Sequence, residues 1–117
     1  MPKFPIFIEN SKIPKILSKI APINIGAITL GPIVLGKGKL SERTRRHEHI
    51  HYLQYKETLF VGFLIIYFYD YFKAFRKYGR GRESYKAIRF EQEAHGNDKD
   101  KEYLDKRKGY AWRRYKI

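Results

Sequence analysis

The sequence predicts a small α+β fold, in which a short β segment precedes several helices. An apolar, β-branched run from Ile23 to Leu35, interrupted by Gly and Pro, is typical of one or two short strands. Helix signals then follow one another up to Gly96-Asn97. At 117 residues the chain has the length of one domain. The sequence therefore predicts a single domain over 1–117, in which 98–117 is a basic, charged C-terminal extension.

The strands and the first helix can be placed in order along the chain. The β segment bends at Gly31-Pro32, and Pro32 favours an edge strand because proline cannot donate to a ladder. Gly36-Lys37-Gly38 then forms a loop. Ser41 is a typical helix N-cap, so a helix is expected from about Glu42 to Lys56.

Two further helices are expected. The apolar segment from Thr58 to Tyr78 has the length of a helix and ends at Gly79-Arg80-Gly81. We interpret it as the central core helix, because a domain of this size needs one buried helix to fold around. Another helix is expected from about Ile88 to His95.

The predicted helix after Ser41 carries the motif H-E-x-x-H. His47 and His51, four residues apart, lie one above the other on one helix face and can reach one metal ion at about 2.0–2.1 Å. Glu48 lies about 100° further around the helix, where it can act as general base for a metal-bound water. His49 faces the opposite side. The motif predicts one Zn²⁺ per chain and hydrolytic chemistry.

A catalytic zinc site needs a third protein ligand and an open fourth position. Because the chain has no cysteine, the choice is a carboxylate or another histidine. The segment from Arg89 to His95 supplies both, about 40 residues after His51. Glu91 is the first choice for the third ligand, Glu93 the second and His95 the third.

Two motifs resemble a known family, the minimal gluzincin-like zinc metallopeptidases of bacteria and phages. They are His47-Glu48-x-x-His51-x-x-Gln54-Tyr55 and Arg89-Phe90-Glu91-x-Glu93-Ala94. The resemblance covers about Ile28 to Ala94, and the C-terminal YLDKRKGYAW is similar to the tails of some phage members. It implies a zincin-like domain that hydrolyses peptide bonds. It also implies that the strand before the active-site helix, about Ile28 to Leu35, is an exposed edge for an extended peptide substrate.

The family often has an Asp four residues after the glutamate ligand, where it orients a ligating histidine. In this chain that position is His95, which departs from the pattern. Gln54, on the same helix face as the motif histidines, is an alternative outer-shell partner. Tyr85, Tyr103 and Arg89 are candidates, by residue type, for stabilising the tetrahedral intermediate.

The formal net charge of +13 gives two alternatives to a peptidase. The first is a basic nucleic-acid-binding or virion-associated protein with an inactive or structural metal site. There, Trp112 would stack on bases while Arg113 and Arg114 contact phosphates. The second is a peripheral membrane protein, because the apolar stretch Leu59 to Tyr69 precedes a basic cluster between Lys73 and Arg82. That stretch is too short to span a bilayer, and without a secretory signal a cytoplasmic or virion-associated location is expected.

Overall fold

A computed structural model describes residues 5–14 and 27–117 of the chain. Within these residues, three short strands form one sheet in the order β1-β3-β2, and they are β1 (Ile6–Ile8), β2 (Ala27–Leu30) and β3 (Ile33–Gly36). β3 is parallel to β1 and antiparallel to β2. Several helices follow the sheet, which confirms the α+β class. The part of the β prediction that covers 23–26 lies outside the described residues.

The β2–β3 hairpin turns at Gly31 and Pro32, as expected from the sequence. Gly31 has a φ of 60°, a left-handed conformation that favours glycine. The expectation that Pro32 marks an edge strand is wrong, because Pro32 lies in the turn and the strand after it is the central one. The carbonyl of Pro32 instead accepts a hydrogen bond of 2.7 Å from the backbone N–H of Ile6 on β1.

Five α-helices and one 3₁₀ turn follow within the described residues. They are α1 (Glu42–Glu57), α2 (Val61–Tyr78), α3 (Arg82–Ala87), α4 (Arg89–Asn97), α5 (Tyr103–Lys106) and the 3₁₀ turn Ala111–Arg114. The predictions of α1, α2 and α4 are confirmed to within a few residues. Ser41 begins α1 as its N-cap, because its Oγ accepts the N–H of Thr44 at 3.1 Å.

The core lies where α1, α2 and α4 meet the C-terminal segment. Its buried members are Tyr55, Phe63, Ile88, Phe90 and Trp112. The ring of Phe63 stacks on Tyr55 and Phe90, with centroid distances of 3.8 Å and 4.5 Å. Trp112 packs against Phe90 at 4.8 Å, so part of 98–117 belongs to the core.

The interpretation of α2 as a central core helix is wrong. Only Phe63, Asp70 and Ala74 of its 18 residues are buried, and the opposite side of the helix faces solvent. α2 follows α1 after a bend of 110°. Within 5–14 and 27–117, no single helix is long and apolar enough to cross a membrane. Taken together as a bent pair, α1 and α2 have the length and apolar composition of a membrane span.

Candidate metal centre

Two imidazole nitrogens and one carboxylate oxygen converge between α1 and α4. The Nε2 atoms of His51 and His47 lie 3.1 Å and 3.4 Å from Oε1 of Glu91. All three side chains are buried, and their ligand atoms lie within 4.8 Å of one another. Two ligands of a tetrahedral zinc, each about 2.0–2.1 Å from the ion, lie about 3.3 Å apart. The group could therefore hold a metal ion with little rearrangement.

Outer contacts orient both imidazoles toward this point. Nδ1 of His47 lies 2.9 Å from Oδ2 of Asp98, and Nδ1 of His51 lies 2.7 Å from Oε1 of Gln54. Both partner atoms are acceptors, since the amide nitrogen of Gln54 donates to Phe90 O and Glu93 Oε1, each at 3.0 Å. Each ring therefore keeps a proton on Nδ1, which leaves Nε2 as the atom that can ligate a metal once it is deprotonated.

Asp98 is the partner of His47 that the sequence analysis missed. The family pattern directs attention to an Asp four residues after Glu91, whereas Asp98 lies seven residues after it. On a helix both spacings return to the same face, so a search for acids at either position could have found it. Asp98 is buried, and its other oxygen accepts a hydrogen bond of 2.9 Å from Nε of Arg43.

The second and third choices for the third ligand, Glu93 and His95, lie in different surroundings. Glu93 faces away from the histidine pair, where it accepts hydrogen bonds from Arg107 Nε at 2.6 Å and Tyr103 OH at 2.7 Å. His95 is closer, because its buried Nε2 lies 3.6 Å from Glu91 Oε1, and it makes no hydrogen bond with any residue that the structure describes. His95 also forms a second group with His47 and Asp98. Asp98 contacts Nδ1 of His47 and pairs with Arg43, whereas Oε1 of Glu91 faces the Nε2 atoms of both motif histidines, which favours the group that contains Glu91.

Glu48 lies in the same cleft as the two motif histidines. Its Oε2 accepts a hydrogen bond of 2.6 Å from the hydroxyl of Thr29 on β2, and its side chain is buried. Thr29 cannot be predicted from local sequence spacing. Its contact with Glu48 joins residues 19 positions apart and depends on how the hairpin packs on α1. His49 belongs to neither group of metal-binding side chains among the described residues.

The tyrosines of the cleft are held in the neutral form. Burial, reinforced by the charge of Glu91, raises the pKa of both Tyr67 and Tyr85 well above the usual range. The hydroxyl of Tyr67 donates to Glu91 Oε2 at 2.9 Å. Of the three predicted stabilisers only Tyr85 lines this cleft, since Tyr103 bonds Glu93 and Arg89 pairs with Asp70.

The buried charges of the centre stabilise one another. Burial alone would lower the pKa of His51, but the Glu91 carboxylate outweighs it and raises that pKa to about 9. Burial would also lower the pKa of His47, but its hydrogen bond to Glu91 and the charges of Glu91 and Glu48 together raise that pKa. Burial would raise the pKa of Glu91, yet the two imidazoles hold it well below its usual range. A proton and a metal ion therefore compete for Nε2 of His51.

We expect chelator-treated protein to lose stability as the pH rises from about 6.5 to about 9. The pKa of His51 is higher in the fold than its ordinary 6.5, so its stabilisation is complete below that pH and is lost as the pH passes 9. The loss is at most about 3 kcal/mol of unfolding free energy. Urea unfolding at a series of pH values measures it. His51→Asn should flatten the profile and His49→Asn should not; an unchanged slope in His51→Asn contradicts the assignment.

Comparisons with protein-family models, with curated proteins and with solved structures found no match for this chain. The resemblance to gluzincin-like peptidases thus stays a prediction from two motifs.

Proposed function

We propose that the chain is a zinc-dependent metallopeptidase. The observation that carries the proposal is the convergence of His47, His51 and Glu91 on one point, with the carboxylate of Glu48 in the same cleft. Three protein ligands leave one position of a tetrahedral zinc open, which is typical of catalytic zinc sites. Two imidazoles and one carboxylate are also a ligand set that zinc hydrolases use.

Each residue of the site has a role in the proposed hydrolysis. Zinc on these three ligands would lower the pKa of a water molecule and polarise the scissile carbonyl. Glu48 takes a proton from the attacking water and passes it to the leaving amine. Thr29 holds the Glu48 carboxylate in place through its hydrogen bond. Tyr85, whose phenol remains protonated, is positioned in the cleft as a donor to the carbonyl oxygen.

An extended peptide is the substrate that suits the shape of the cleft. The cleft has a volume of about 1420 Å³, more than the 300–1,000 Å³ that is usual for a small-molecule site. The whole of β2 lines it, beside Glu48. Within the described residues β2 pairs only with β3. A peptide that adds to the outer edge of β2 would place its main chain beside the general base.

Digestion of a mixed peptide library, read by mass spectrometry, tests this function. We expect new peptide ends with the protein as purified, their loss after a chelator, and their return when one equivalent of zinc is added. Cleavage that persists after complete metal removal contradicts a zinc mechanism. A zinc-loaded protein that cleaves no member of the library contradicts the peptidase proposal.

In the nucleic-acid alternative, Trp112 is not available to stack on bases. Trp112 is only 7% exposed, and its ring is held between Phe90 and the guanidinium of Arg89. The prediction that Trp112 stacks on bases is therefore wrong. Arg113 and Arg114 remain exposed and offer salt-sensitive attraction to phosphates.

A further inference from the structure

One side of α2 exposes a continuous row of large apolar side chains. This outer face of α2 consists of Val61, Leu64, Ile65, Phe68, Phe72 and Phe75, each at least 43% exposed. Ile65, Phe68 and Phe72 are exposed by 65%, 68% and 63%. The residues recur every three or four positions, so they share one side of the helix. Contiguous apolar surface of this kind marks an interaction site in a folded protein.

The exposed charged residues of α2 itself are all basic. Lys73, Arg76 and Lys77 are exposed in the last turns of α2, and Arg80 and Arg82 follow within five residues of its end. The helix contains one acidic residue, Asp70, which is fully buried and pairs with Arg89 at 2.9 Å. The partner of this surface must therefore offer apolar material next to negative charge.

We propose that the outer face of α2 binds the surface of an anionic lipid membrane. The helix would lie in the plane of the interface, with its Phe, Leu and Ile side chains among the acyl chains and its basic end against lipid phosphates. A second copy of this chain is a poorer partner, because it carries the same net charge of +13 and the two copies repel each other. This inference goes beyond the proposed peptidase activity and does not depend on it.

The outer face also borders the cleft of the metal centre. Leu64 and Phe68 line that cleft while exposing 45% and 68% of their surface. A membrane bound at α2 would therefore lie beside the cleft mouth.

Vesicle flotation tests the proposal on the full chain. We expect the protein to float with vesicles that mix phosphatidylcholine and phosphatidylglycerol, and to float far less with phosphatidylcholine alone. The triple variant Ile65→Ser, Phe68→Ser, Phe72→Ser should partition at least about tenfold less, because three apolar side chains no longer insert. These side chains are exposed, so circular dichroism should show an unchanged fold.

A matched pair of charge variants distinguishes lipid binding by the basic end of α2 from attraction of the membrane to the net positive charge of the whole protein. The variant Lys73→Ala, Arg76→Ala, Lys77→Ala should weaken binding to anionic vesicles by about tenfold or more, since each basic residue near the surface contributes about 1 kcal/mol. The control Lys99→Ala, Lys101→Ala, Lys108→Ala removes the same charge from exposed positions elsewhere and should have a smaller effect. Equal loss in both variants contradicts a specific role for α2.

Insertion itself can be observed with Phe68→Trp. The natural chain has a single tryptophan, the buried Trp112, so added emission reports on position 68. We expect a blue shift with anionic vesicles and quenching by brominated acyl chains. Absence of flotation by the natural chain overturns the proposal, as does a triple serine variant that binds equally well. A lipid-independent dimer that the serine variant converts to monomers would assign the face to a second copy instead. Zinc content and peptide cleavage, measured without lipid, test the peptidase proposal separately.

Discussion

Glu48→Gln should retain the bound metal and lower peptide hydrolysis by about a hundredfold to ten-thousandfold. The amide keeps the size of the side chain and can still accept the hydrogen bond from Thr29, but it cannot take the proton of the attacking water. The loss should fall on kcat, because proton transfer belongs to the chemical step. Steady-state cleavage of a peptide found in the library, with zinc measured on the same sample, provides both quantities.

Two other glutamates provide controls for this result. Glu91→Gln should weaken metal binding itself, because a neutral amide replaces the ligand that faces both imidazoles. Glu83→Gln, at an exposed position on α3, should change neither quantity. If Glu48→Gln loses the metal while Glu91→Gln keeps it, the two roles are reversed. Full activity in Glu48→Gln rules out this residue as the base.

His47→Ala should abolish stoichiometric metal binding. The substitution removes one of three ligands and leaves the buried Asp98 without its imidazole partner. We expect a loss of affinity of more than about a hundredfold, beyond what the removal of an outer-shell partner usually costs. Competition with a chromophoric zinc chelator measures it.

His49→Ala is the matched control, because it alters a histidine of the same helix that belongs to neither metal-binding group. This variant should bind zinc as the natural chain does. A His47→Ala protein that holds a full equivalent at unchanged affinity would place the metal elsewhere.

The parts of the site that the sequence predicts are those that depend on local spacing. His47, Glu48, His51 and Gln54 lie on one helix whose start is encoded by Ser41, so their relative positions follow from helical geometry. The absence of cysteine leaves Glu91, Glu93 and His95 as candidates for the third ligand, and α4 brings Glu91 to both histidines.

The remaining contacts depend on tertiary packing, which local patterns do not encode. Thr29 reaches Glu48 only because the β2–β3 hairpin packs on α1, and Asp98 reaches His47 only because α4 runs past it. The exposure of α2 was missed for a related reason. Apolar composition predicts a helix, but it does not show how much of that helix the rest of a short chain can cover.

Anomalous diffraction at the zinc edge, from crystals of protein purified without added metal, would locate the ion of the proposed zinc centre. We expect one peak per chain, about 2.0–2.1 Å from His47 Nε2, His51 Nε2 and Glu91 Oε1. The Nδ1 atoms should still contact Asp98 and Gln54, as they do now. A peak between His95 and Asp98, or no anomalous peak at this centre, would contradict the proposal.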